Sequence, residues 1–150
     1  MKFEYCAILL VLLSSSSIAG DSVSISELES NEARWNSQSF TSVSFKLREG
    51  GPFGYTEYKI KMSGEKCKAN SRFVFGKEID KWKTDSCLSH TPAEQFKKVK
   101  AQLIAGTIRS EIRFNPEFGY IEFYSVEPKT DAFDQDWYFE VSGFKSVRAK

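Results

Sequence analysis

Hydrophobic and polar side chains alternate along much of this chain, a pattern typical of strands with one face in water. The first such stretch is 42–48, where Val43, Phe45 and Leu47 alternate with polar residues. The same alternation predicts further strands over about 58–62, 107–114, 120–127 and 137–144. One more strand either runs through Cys67 or lies at 73–75.

Two segments carry helix signals instead. Thr91 offers an N-cap, Pro92 suits the first helical position, and Gly106 supplies a stop, which together predict a helix over about 92–105. Capping-box spacing in front of Leu28 predicts a shorter, polar helix over about 26–37.

The remaining segments are predicted as loops. Residues 76–90 contain few large apolar side chains, and the glycine-rich stretch at 50–54 is expected to form a long hairpin loop. Strands linked by turns, with helices inserted, indicate an α+β fold. We expect an antiparallel sheet of five to six strands, with one N-terminal and one central helix packed on one face.

The N-terminus has the pattern of a cleavable signal peptide. An apolar run at 5–13 follows Lys2 and is too short to span a bilayer, and small residues precede a cleavage point after Ala19. The prediction is a signal peptide over 1–19 and a single α+β domain over 20–150. The mature chain is expected in the periplasm or the extracellular medium, without a membrane span.

Cysteine usage agrees with export. Cleavage would remove Cys6 and leave Cys67 and Cys87, an even number that predicts one disulfide in an oxidising compartment. A metal site or a catalytic thiol is the alternative. A metal would need more ligands than these cysteines and His90 supply, and a paired thiol is no nucleophile.

Charge and motifs exclude several classes of function. The formal net charge of +1 gives no electrostatic reason to expect nucleic acid as a partner, and the lysines at 97–100 are predicted to lie on a solvated helix face. The aspartates at 131, 134 and 136 lack the spacing of a calcium loop. His90 has no nucleophile at a recognisable spacing. No cofactor, metal ligand or catalytic residue is predicted.

The second half of the chain resembles the bacterial domain of unknown function 6174. The resemblance rests on the turn Phe114-Asn115-Pro116-Glu117-Phe118-Gly119-Tyr120, on the acidic stretch before Trp137, on Phe139-Glu140-Val141 and on Phe144. It extends over about 33–145, where Trp35 stands in matching order. It implies a small exported or lipid-anchored protein of uncharacterised role, with no functional residues to transfer.

The last two predicted strands suggest a binding surface. If Ile121, Phe123 and Phe139 face the helices, the opposite face carries three tyrosines and two glutamates: Tyr120, Glu122, Tyr124, Tyr138 and Glu140. Tyrosine combines apolar area with a polar tip, which suits contact with a peptide, a glycan or another protein. The other interpretation is ordinary cross-strand pairing of side chains on a sheet with one solvent-exposed face.

These observations favour a non-enzymatic binding or inhibitory module that acts through the outer sheet face and the 50–54 loop. The alternatives are an enzyme with a cryptic carboxylate site, for which Glu122 and Glu140 are the candidates, and a structural envelope-associated protein.

Overall fold

A computed structural model describes residues 23–64, 66–75, 77–84, 87–128 and 136–148. The predicted signal peptide at 1–19 lies outside these ranges, as do Asp131 and Asp134. No helix within the described ranges is long and apolar enough to cross a membrane.

The described chain forms one antiparallel sheet and two α-helices, which confirms the predicted α+β class. In chain order the elements are α1 (Ile25–Asn36), β1 (Phe40–Gly51), β2 (Gly54–Ser63), β3 (Lys66–Phe75), β4 (Lys77–Thr84), a single 3₁₀ turn (Leu88–His90), α2 (Pro92–Ala105), β5 (Thr107–Phe114), β6 (Ile121–Pro128) and β7 (Trp137–Arg148). The sheet order is β4-β3-β2-β1-β7-β6-β5, so the first and last strands meet at its centre.

Both helices begin where the capping signals predict. The Ser24 side chain accepts a hydrogen bond from the Glu27 backbone N–H (3.1 Å), and Thr91 does the same for Glu94 (3.4 Å). Gly106 ends α2 with a positive φ of 86°. These local bonds satisfy backbone groups that no helix can pair internally, which is why the sequence predicts them well.

The core lies between the helices and one face of the sheet, called here the inner face. Leu28 of α1 and Phe96 and Val99 of α2 pack there with buried residues of β1, β2, β6 and β7. Helices on one side leave the other face of the sheet, the outer face, to solvent. The predicted alternation in β1 is confirmed, since Val43, Phe45 and Leu47 are all buried.

The predicted loop over 76–90 is wrong in its first half. Residues 77–84 form β4, which raises the sheet to seven strands in the described part of the chain, one more than the upper expectation. As an edge strand, β4 pairs only with β3 through its backbone. Such pairing does not require the alternating apolar pattern that a central strand shows, so no periodic signal marks β4 in the sequence.

The glycine-rich stretch is a tight turn rather than a long loop. Gly51 pairs with Gly54, leaving only Pro52 and Phe53 in the turn. A Cβ at Gly50 would lie 2.7 Å from the Tyr55 Cβ, so glycine is what lets the two strands approach closely here. The hairpin therefore holds Phe53 at its tip.

Candidate functional site

The outer face carries a cluster of charged and aromatic side chains next to the tight turn. Arg48 of β1 lies between Glu57 of β2 and Glu140 of β7 in the strand register. Its Nη2 is 3.9 Å from Glu57 Oε2, and its Nη1 is 3.5 Å from Glu140 Oε2. Its guanidinium carbon lies 4.5 Å from the ring centre of Tyr55, within the range of a cation–π contact.

Tyr138 completes this cluster from β7. Gly50 pairs with Tyr55 on one side and with Tyr138 on the other, so the two tyrosines flank a residue without a side chain. Phe123 lies on the same face opposite Glu140, with the Arg113 guanidinium 4.9 Å from its ring centre. We call this group the aromatic end of the outer face: Arg48, Tyr55, Phe123, Tyr138 and Glu140.

A cleft of about 430 Å³ opens beside the aromatic end. Gly51, Pro52, Tyr138, Ser125 and Glu127 are among the residues that line it. A Cβ at Gly51 would lie 2.6 Å from the Asp136 carbonyl oxygen, so the turn is in close contact with the start of β7. At the tip of the turn, Phe53 is 63% exposed. A cleft with mixed polar and aromatic walls is suited to a peptide or sugar.

Two of the five predicted site residues, Tyr138 and Glu140, lie on the outer face as expected. Tyr124 does not, since it is fully buried (0% exposed) on the inner face and contacts Phe139 at 5.8 Å between ring centres. A bulge explains the error: Phe114 pairs with Ile121 but Arg113 pairs with Phe123, so β6 contains one extra residue. The extra residue turns the later positions of β6 over, which sends Phe123 outward.

Tyr120 is also buried, at 5% exposure, and belongs to an aromatic cluster under α1. Its ring stacks on Phe144 with centres 4.6 Å apart, and Trp35 meets it edge-on at 6.1 Å. Phe118 and Phe40 pack into the same cluster. Burial raises the pKa of Tyr120 to about 12, and that of Tyr124 likewise to about 12. These two tyrosines are core residues rather than a binding surface.

The Glu122 side chain is hydrogen-bonded to the turn that precedes β6. The Asn115 side chain donates from Nδ2 to Glu122 Oε1 at 2.8 Å, and its Oδ1 accepts from the N–H groups of Glu117 and Phe118. Arg34 of α1 donates to the Pro116 carbonyl at 3.1 Å. The turn and the carboxylate of Glu122 thus form one hydrogen-bonded unit, fastened to the first helix.

Sequence reasoning missed Arg48 and Tyr55 and placed Phe123 on the inner face, whereas Phe53 lies within the 50–54 loop that it did single out. The signal was available in the glycine-rich stretch. A two-residue turn at Pro52 and Phe53 places residue 50 opposite 55 and residue 48 opposite 57. Arg48 and Tyr55 then lie on the same face of neighbouring strands, as diagonal neighbours.

A second cluster that the sequence did not indicate lies under α2, on the inner face. Glu49 is only 14% exposed, and its two oxygens each lie 3.5 Å from a nitrogen, one from His90 Nδ1 and the other from Lys98 Nζ. The His90 ring stacks on Tyr58 with centres 4.0 Å apart. Burial by itself would raise the pKa of Glu49, but the close approach of the His90 side chain and the charge of Lys98 outweigh it and lower the pKa below 4.5.

We predict that Glu49→Gln lowers the free energy of unfolding at neutral pH by about 2 kcal/mol, because it removes a charged acceptor from a half-enclosed site. The pKa of Glu49 is lowered in the folded state. The stability that ionised Glu49 contributes is therefore fully present above pH 4.5, the pKa of the unfolded state. It is lost as the pH falls through the lowered pKa of the folded state. Urea unfolding at several pH values would show the two proteins converging in acid. Glu117→Gln, which affects only an exposed pair with Arg148, should change little.

Comparison with known proteins agrees with the motifs of the second half. The sequence profile of a family of unknown function, DUF6174, matches residues 27–146. The chain belongs to the DUF6174 family. No curated protein matches it significantly. The DUF6174 match includes Trp35, the turn at 114–120 and Phe144, and these three are the parts that meet in the aromatic cluster under α1. These parts of the family resemblance therefore build the fold, whereas the acidic stretch before Trp137 ends at Asp136, which lines the cleft beside the aromatic end.

The disulfide predicted from the cysteine count is confirmed. Cys67 of β3 is bonded to Cys87, which is fully buried just before the 3₁₀ turn, with their Cα atoms 5.6 Å apart. The bond joins the sheet to the segment that leads into α2. A disulfide is compatible with a protein that works in an oxidising compartment.

Proposed function

We propose that this DUF6174 protein is an exported, non-enzymatic binding module that holds a peptide, protein or glycan at the aromatic end of its outer face. The observation that carries the proposal is the pair of tyrosines, Tyr55 and Tyr138, that flank Gly50 beside an exposed Phe53. Tyrosine, phenylalanine and arginine are enriched at sites of recognition, and the two aromatic side chains offer large rigid contact areas with few rotamers to fix.

The geometry supports a preformed site. Arg48 is held between two carboxylates and under a tyrosine ring, so its guanidinium is already oriented. Phe53 lies in a two-residue turn between β1 and β2, and these strands pair up to Gly51 and Gly54, so the backbone of the turn is fixed. A side chain that is fixed before binding loses little entropy when a ligand arrives.

The alternative of a carboxylate enzyme has less support. Glu122 accepts its hydrogen bond from Asn115, while Glu140 pairs with Arg48. Each acid thus has its own partner, and nothing in the contacts joins the two as an acid–base pair. A purely structural envelope protein would need no cleft, whereas one of about 430 Å³ lies beside the tyrosines.

The test is a screen of the oxidised protein on peptide and glycan arrays, followed by titration of each ligand found. We predict that Phe53→Ala combined with Tyr138→Ala weakens binding by about 30-fold, the effect of removing an aromatic anchor from a binding surface. Both side chains are at the surface, so the melting temperature should change little.

The matched control replaces two exposed apolar residues on the helical side, Leu88→Ala with Ile104→Ala, which are 60% and 67% exposed. This variant should bind like the unmodified protein. An equal loss in both variants, or arrays on which no ligand is retained, would contradict the proposal.

A further inference from the structure

The outer face changes character toward the end opposite the tight turn. There, four adjacent strands contribute six exposed lysines: Lys46, Lys59, Lys61, Lys66, Lys68 and Lys145. Two pairs of these lysines lie directly opposite each other, since Lys46 pairs with Lys59 and Lys61 pairs with Lys68 in the strand register. Side chains paired in this way start about 5 Å apart, a distance at which like charges destabilise a sheet. We call this group the lysine end.

Ion pairing does not neutralise these charges among the described residues. Within the part of the chain that the structure describes, none of the six lysines takes part in an ion pair. The outer-face carboxylates of Glu57 and Glu140 are at the aromatic end, where both lie beside Arg48. The net charge of +1 therefore conceals a strongly positive surface region.

The composition of the lysine end indicates what it contacts. A lysine ammonium is a point charge, without the planar fork with which arginine recognises a single phosphate. The charges are spread over four strands, a width of about 14 Å, which suits diffuse attraction to many phosphates at once. Val147, 58% exposed, lies among them, and Ser42, Ser44 and Ser63 provide hydroxyl donors around a hollow of about 510 Å³.

We propose that the lysine end docks the protein on the surface of an anionic phospholipid bilayer. The lysine stems and Val147 supply apolar area at headgroup depth, while the ammonium groups remain with the phosphates. The opposed lysines are stabilised once lipid phosphates surround them. This docking does not depend on the ligand of the aromatic end.

The test is co-sedimentation with vesicles of equal parts phosphatidylglycerol and phosphatidylcholine, compared with phosphatidylcholine alone. The chain used begins at residue 20, so that the apolar segment at 5–13 cannot insert, and it retains every helix and strand of the structure. We expect binding to the anionic vesicles only, weakening steeply with added salt.

Lys61→Gln combined with Lys68→Gln should weaken this binding by about 30-fold, since each lysine near an anionic surface contributes about fivefold. Lys97→Gln combined with Lys100→Gln removes the same charge from α2 and should change binding less than about twofold. Removing an opposed lysine pair relieves repulsion, so the melting temperature should not fall. If it does, Lys46→Gln with Lys145→Gln is the second variant, with the same expected loss.

Three results would overturn the proposal. These are equal binding to neutral vesicles, equal losses in the lysine-end and α2 variants, and no vesicle binding at all. The absence of vesicle binding would overturn the proposal even if the same lysines bound single-stranded DNA, because the partner would then be a soluble polyanion.

Discussion

Gly119→Ala is expected to destabilise the protein by about 4 kcal/mol. Gly119 has a φ of 84°, where an L residue is strained by about 1–3 kcal/mol. A Cβ there would also lie 2.5 Å from the Asn31 carbonyl oxygen and 3.2 Å from the Trp35 backbone N, both in α1. These are backbone atoms of a helix and cannot turn aside, so α1 must shift away from the turn and open the aromatic cluster.

The matched control is Gly143→Ala. Gly143 also has a positive φ, of 61°, but nothing lies within 4 Å of a Cβ built on it. This variant should lose only the conformational part, about 1 kcal/mol. Urea unfolding followed by tryptophan fluorescence measures both, since Trp35 reports on the cluster. Equal losses in the two variants would mean that α1 does not pack closely on the turn.

The second large effect is expected from the disulfide. Cys67→Ser combined with Cys87→Ser should lower the free energy of unfolding by about 3 kcal/mol, because the unfolded chain regains the freedom of a closed loop of about 20 residues. The cysteines are 20 positions apart and join β3 to the entrance of α2. Binding at the aromatic end should persist, since neither cysteine contributes to that cluster.

Reductant provides the internal control. It should lower the denaturation midpoint of the unmodified protein to near that of the double variant and leave the double variant unchanged. A double variant that unfolds at the same denaturant concentration as the oxidised protein would show that the bond contributes nothing to stability.

Some elements could be predicted because their signals are local. Capping residues such as Ser24 and Thr91 act within one helical turn, and the alternation of Val43, Phe45 and Leu47 follows from the pleat of a single strand. The pairing of Cys67 with Cys87 required only the cysteine count, once Cys6 was assigned to the predicted signal peptide. None of these predictions depends on which strands become neighbours.

The candidate site could be predicted only in part, because the pairing of the strands decides which side chains share a face. Tyr138 and Glu140 were found from the alternation in β7, which is regular there. Tyr124 was assigned to the wrong face, because one extra residue in β6 reverses the alternation and no local signal marks the bulge.

The sequence by itself determined the α+β class, the disulfide, the start of each helix and the core face of β1, since each follows from interactions between near neighbours or from a cysteine count. Tertiary structure alone decided that Arg48, Tyr55 and Tyr138 share one surface and that lysines from four strands gather on another part of it. Charged and aromatic side chains form a shared surface only when the strand register aligns residues that are far apart in the chain. That register is set by the whole sheet, through its turns, its bulges and the face it buries.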